Sequence, residues 1–77
     1  MELSKLKQGQ RAEVLAIRGQ GDIRRRILEM GVIPGTVIEM RKPAPMKDPL
    51  KIFLRNYELS LRIEEASWIE VHVLEDE

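Results

Sequence analysis

Leu50-Lys51-Ile52-Phe53-Leu54-Arg55-Asn56-Tyr57-Glu58-Leu59-Ser60-Leu61-Arg62-Ile63 reads as two strands and the turn that joins them. Leu50, Ile52 and Leu54 alternate with Lys51, Phe53 and Arg55, and Leu59, Leu61 and Ile63 alternate with Glu58, Ser60 and Arg62. Successive side chains of a strand point to opposite faces, so a period of two buries one set and leaves the other in water. Asn56-Tyr57 forms the turn, where Asn tolerates the left-handed backbone that short hairpins demand. The same period recurs on both sides. Ile69, Val71 and Val73 alternate with Trp68, Glu70, His72 and Leu74, and Thr36–Arg41 reads as a further strand. Arg11–Arg18 is a strand with broken alternation: Ala12 and Val14 share one face, Leu15 and Ile17 the other. That pattern implies either a bulge that shifts the register or partial cover on both faces.

Helical spacing is convincing only over Asp22–Met30. Ile23, Ile27 and Met30 recur at i, i+4 and i+7, which places them on one stripe. Asp22 is a favoured N-cap, because its carboxylate can accept from the unpaired N–H groups of a first turn. Arg25 and Glu29 make an i, i+4 pair on the wet side. Gly31 stands where a left-handed residue would close the helix. Pro34-Gly35 is a turn in which Pro presets φ and Gly accepts a positive φ. Ser4-Lys5-Leu6 and Glu64-Glu65-Ala66 each suit a single tight turn, and Pro43–Pro49 is a loop with three prolines in seven residues. Five short strands with one α-helix between the first and second make a mainly β fold. A small SH3-like five-stranded barrel, which protects its strand edges, fits this count.

Composition narrows the functions open to the chain. Seventy-seven residues are expected to form one domain, 1–77, too small to hold a catalytic unit beside a binding unit. A chain of this size buries only roughly 60% of its unfolded surface, so the core is thin. Cysteine is absent, which removes disulfides, thiolate metal sites and cysteine nucleophiles. Phe53, Tyr57 and Trp68 are the only aromatics, too few for a base-stacking platform. Thirteen basic and thirteen acidic residues cancel, although all the basic ones lie in 1–62 and six acids crowd 63–77. Nucleic-acid binders usually carry a net basic balance, so no nucleic-acid partner is expected. The longest purely apolar run is Val14-Leu15-Ala16-Ile17, far short of the ~20 residues that span a bilayer. Without an apolar signal segment and without cysteine, the expected compartment is the cytoplasm.

Five stretches recur in a fixed order: Leu6–Val14; Arg24-Arg25-Arg26-Ile27-Leu28-Glu29-Met30-Gly31-Val32-Ile33-Pro34-Gly35-Thr36; Ala44-Pro45-Met46-Lys47-Asp48-Pro49; Glu58–Ala66; and Ile69-Glu70-Val71. Together they resemble the FeoA family, the small cytoplasmic partner of the bacterial ferrous iron transporter FeoB. The likeness covers nearly the whole chain. The same domain resembles the C-terminal module of iron- and manganese-dependent repressors, here without a preceding helix-turn-helix. Asn56 departs from the pattern, since such sequences often carry glycine in that turn. The resemblance implies a non-enzymatic accessory protein of ferrous iron uptake that binds the FeoB membrane GTPase and needs no cofactor of its own. A stand-alone interaction or regulatory module related to the repressor domains is the other reading it allows.

Candidate contact residues lie in two places. Leu28 sits about 100° round the helix from Ile27, off the apolar stripe, and fits either a widened buried face or an exposed anchor for a partner. Arg24 and Arg25 beside it fit either a solvated helix flank, pairing with Asp22, Glu29 or the acidic C-terminal strand, or a charged rim that steers an acidic partner. Pro45 and Met46 at the tip of the proline loop offer an adaptable apolar contact on a stiffened backbone. Ser4, Ser60 and Ser67 have no activating base at a known spacing, and Gly19-Gln20-Gly21 lacks the lysine and length of a phosphate loop. His72 alternates with Val71 and Val73 and is expected to face outward. One imidazole and scattered carboxylates make a poor iron site, which needs several convergent ligands. Anaerobic titration calorimetry with iron(II) should therefore show no stoichiometric sub-micromolar binding; such binding would make the protein a metal sensor.

Overall fold

The computed structural model describes residues 1–43 and 49–74. Five antiparallel strands form one sheet in the order β4-β3-β2-β1-β5. They are β1 (Arg11–Ile17), β2 (Val37–Lys42), β3 (Leu50–Leu54), β4 (Tyr57–Leu61) and β5 (Ile69–Leu74). Helix α1 (Gly21–Glu29) lies between β1 and β2, and a five-residue helix α2 (Ile63–Ser67) lies between β4 and β5. A 3₁₀ turn, Leu3–Lys5, precedes β1.

The expected hairpin is present, with its turn one residue earlier than the sequence places it. Leu54 pairs with Tyr57, and Arg55 and Asn56 both take positive φ, 46° and 67°. Two consecutive left-handed residues suit the right-handed twist of the flanking strands. β3 keeps its period, with Leu50, Ile52 and Leu54 all buried. β4 does not: Leu61 is buried, Leu59 is half-buried, and Ile63 leaves the sheet as the first residue of α2, where it is exposed.

The broken period of β1 is a bulge. Against β5 the register shifts between Val14, which pairs with Val71, and Ala16, which pairs with Glu70. The extra residue resets the alternation, so Ala12, Val14 and Ile17 are all buried while Leu15 is turned out into water.

The core is aliphatic. Leu3 and Leu6 join it from the N-terminal turn, Ile27 and Val32 from the α1 region, Ala66 from α2, and the rest from the sheet. None of the three aromatics is in it. Phe53 is half-buried under the Arg41 guanidinium, 4.4 Å from its ring centroid, and Tyr57 and Trp68 are exposed. The N-terminal residue runs along the outer side of β5: Val71 N–H donates to the Met1 carbonyl at 2.8 Å, and Glu2 bridges Glu70. The Met1 ammonium donates to Glu70 Oε2 at 2.8 Å and Arg18 Nε donates to Glu70 Oε1 at 3.2 Å. These two donors, the ammonium first, hold the Glu70 carboxyl below its usual range.

Helix α1 corrects the sequence reading at its start and supports it at its end. Gln20 is the N-cap residue and makes no side-chain capping bond, while Asp22 lies inside the first turn, exposed, 3.8 Å from Arg25. Gly31 does take a left-handed φ, +93°, and its N–H donates to Leu28 O at 3.0 Å. A Cβ there would also stand 3.3 Å from the Tyr57 hydroxyl. A β-branched residue is strained at such a φ, so Gly31→Val should cost more than ~1 kcal/mol of stability and Gly31→Asn clearly less. Equal denaturation midpoints for wild type and Gly31→Val would refute this account of the helix end.

Candidate functional site

Only one of the three stripe residues of α1 enters the core as expected. Ile27 is fully buried, Met30 is half-buried against the core, and Ile23 is exposed. A nine-residue helix that touches the sheet near its C-terminal end lifts its first turn clear of it. Ile23 instead lies beside Gly19, which Trp68 also flanks.

The meeting point is Gly19. The β1–β5 ladder runs to Ile17–Ile69, and Arg18 N–H then donates to Trp68 O at 2.7 Å. This lays Gly19 under the indole. Gly19 is buried, and a Cβ on it would lie 3.4 Å from Trp68 Cγ and 3.6 Å from Ile23 Cγ2. Glycine thus lets the two large apolar side chains flank the backbone closely, yet each is still 38% exposed.

Beside this pair a depression of about 180 Å³ separates α1 from α2, lined by Asp22, Ile23, Arg26, Arg62, Glu64 and Glu65. Glu65 organises its floor. Its Oε1 accepts from the Arg62 N–H at 3.0 Å, capping α2, and its Oε2 lies 3.8 Å from Arg26 Nη1. Each guanidinium keeps donors to spare, because arginine has five N–H groups in a fork. The arrangement is an apolar anchor inside a rim of arginines and carboxylates, the anatomy of a small protein-docking surface. It holds no nucleophile beside a base. Among the described residues, no group of three or more His, Asp or Glu is placed to hold a metal ion.

The residues singled out in the sequence separate. Leu28 is half-buried and packs against the core, so it widens the buried face. Arg25 is exposed and pairs with Asp22 rather than with Glu29. Arg24 is exposed and makes no ion pair among the described residues. Pro45 and Met46 lie outside the described residues. His72 is exposed on β5, as its alternation implies. Sequence reasoning placed Ile23 on the buried stripe and did not foresee that it and Arg26 would line the depression between α1 and α2. Trp68 carried a signal, since its alternation with Ile69 turned it outward.

Five antiparallel strands in one sheet, with α1 between β1 and β2 and α2 between β4 and β5, define a small, mostly β module. The chain belongs to the FeoA family, whose domain model matches residues 1–73. It is 40% identical over 74 residues to a Porphyromonas gingivalis Fe(2+) transport protein A/Fe(2+) transporter FeoB fusion protein, covering 96% of this chain and 9% of that one. The chain thus spans less than a tenth of that relative's length. The solution structure of a FeoA-like protein from Clostridium acetobutylicum superposes with a TM-score of 0.88 at 38% identity, over 100% of this chain and 90% of that one. FeoA of Stenotrophomonas maltophilia, described as a prokaryotic SH3 domain protein and crystallised with zinc, matches with a TM-score of 0.82 at 29% identity, over 94% and 89% of the two chains. The fold is SH3-like. It is also shared with IdeR of T. acidophilum, at a TM-score of 0.82 and 22% identity, over 95% of this chain and 33% of that one.

The burial of the two helix residues separates their roles. Leu28→Gln should lower stability by about 1 kcal/mol, because a half-buried core contact is lost, whereas Ile23→Gln should stay within about 0.5 kcal/mol of wild type. Urea denaturation of both variants checks this, and equal midpoints would contradict the placement.

Proposed function

We propose that this protein is a non-enzymatic cytoplasmic accessory protein of ferrous iron uptake that binds the cytoplasmic part of a FeoB-type GTPase transporter. One observation carries the reading: a relative at 40% identity joins the same module to a FeoB transporter in one polypeptide. Fusion holds two modules at high effective concentration, so even weak contacts engage. No helix among the described residues is long and apolar enough to cross a membrane, so contact with the bilayer would run through the partner.

The contact surface proposed is the Ile23–Gly19–Trp68 patch with its arginine rim of Arg24, Arg25 and Arg26. Tryptophan and arginine dominate binding hot spots because they combine a large apolar area with directional polar groups. Arg24 has no intramolecular ion pair to give up among the described residues, so it suits a carboxylate on the partner. Pro45 and Met46, outside the described residues, are proposed as further contact residues for the same partner. The alternative, a regulatory module like those of metal-dependent repressors, is supported by the fold alone.

Binding of the purified chain to the FeoB cytoplasmic domain should fall by about 30-fold in Trp68→Ala, equivalent to ~2 kcal/mol, and by at least about fivefold in Ile23→Gln. Leu15→Gln, on the outer face of β1, should bind as wild type. Full binding by a folded Ile23→Gln/Trp68→Ala double variant would move the contact elsewhere. No binding by any form of the chain would remove the partner.

A further inference from the structure

Helix α1 is attached to the barrel at few points. Of its nine residues only Ile27 is fully buried, and Leu28 lies half-buried at the edge of the core. Two polar ties add to these contacts. Arg26 reaches Glu65 of α2 at 3.8 Å, and the Tyr57 hydroxyl of β4 donates to the Met30 carbonyl at the helix C-cap. Glycines in left-handed conformations stand at both ends, Gly21 at φ +62° and Gly31 at φ +93°. Outside them the chain is fixed again. Arg18 N–H bonds to Trp68 O on one side; on the other, Val32 is fully buried and Val14 N–H bonds to Thr36 O at 2.9 Å.

We propose that residues 22–30 form a hinged flap that opens as a unit while the barrel stays folded, with Gly21 and Gly31 as hinges, Ile27 as the plug and the Tyr57 hydroxyl as the latch. Freeing β1, β2 or β3 breaks ladder bonds on both sides and uncovers two or three buried side chains, and freeing the edge strands β4 or β5 breaks one ladder and uncovers one or two. Freeing α1 breaks no ladder bond and uncovers one fully buried side chain and part of two others. Segments with few buried contacts open at free energies well below that of global unfolding. Once lifted, a nine-residue helix is too short to persist in water, so it melts and its amides exchange with solvent. The motion has a consequence for the groove: α1 carries Ile23 and Arg26, while Glu65 and Trp68 stay with the barrel. Opening therefore parts the two walls of the depression and separates the apolar pair.

Native-state hydrogen exchange of the free full chain, followed amide by amide, tests this on the second-to-hour timescale. Amides of Arg25–Gly31 should exchange at least ~100-fold faster than those of the β1–β5 ladder. Ile52→Val, a mild core deletion in β3, should speed ladder exchange about fivefold and leave α1 exchange unchanged, because the flap-open state keeps the β3 contacts. Tyr57→Phe should speed α1 exchange about fivefold, since it removes a hydrogen bond that only the closed flap makes. If α1 exchanges no faster than the ladder, or follows it in Ile52→Val, the helix opens only by global unfolding and the flap is refuted. If Tyr57→Phe leaves α1 exchange unaltered, the latch is refuted.

Discussion

The bulge in β1 governs the shape of this molecule. With strict alternation Val14 and Ile17 would face opposite sides of the sheet, and one of them would be lost to the core. The shift between Val14 and Ala16 turns both inward and puts Leu15 in water. It also sets where the strand ends. Ile17 pairs with Ile69, Arg18 bonds to the Trp68 carbonyl, and Gly19 is laid beneath the indole. From there the chain enters α1, and Ile23 and Trp68 both flank Gly19. An inserted residue in a strand thus builds the apolar half of the candidate docking surface.

A thin core without aromatic side chains has a second effect. The large aromatic residues are left for the surface, where each has a separate task. Phe53 supports the Arg41 guanidinium, the Tyr57 hydroxyl ties the β3–β4 hairpin to the end of α1, and Trp68 covers Gly19. The charges behave similarly. Zero net charge leaves local features to set the electrostatics, such as the Arg26–Glu65 pair and Arg24, which has no ion pair among the described residues. This local patterning fits a module that meets one protein partner at short range better than one that collects polyanions.

Much of the fold was legible in the sequence because period-two patterns and turn chemistry are local. The β3–β4 hairpin, the β1 irregularity and the left-handed Gly31 all rest on neighbours within a few residues. The errors arose where local rules met tertiary geometry. The stripe Ile23, Ile27, Met30 assumes a helix lying flat on its support, but α1 rests on the sheet near one end. Asp22 has capping chemistry but sits one step inside the helix. Ile63 continues the alternation of β4, yet the strand has already ended at Leu61. The pairing of Ile23 with Trp68 joins residues 45 positions apart through a glycine that the sequence marks only as a break. The link to iron came from the order of five motif stretches, which no periodicity supplies.

The decisive point is where a partner meets this barrel. Isotope-labelled protein titrated with the unlabelled FeoB cytoplasmic domain and followed by amide and indole NMR shifts reads that directly. Shifts and broadening are predicted to concentrate at Gly19, Ile23, Arg24, Arg26, Glu65 and the Trp68 indole, with Leu15, Val37 and His72 on the outer sheet face unmoved. Perturbations confined to the outer face, with the Trp68 indole unchanged at saturation, would contradict it.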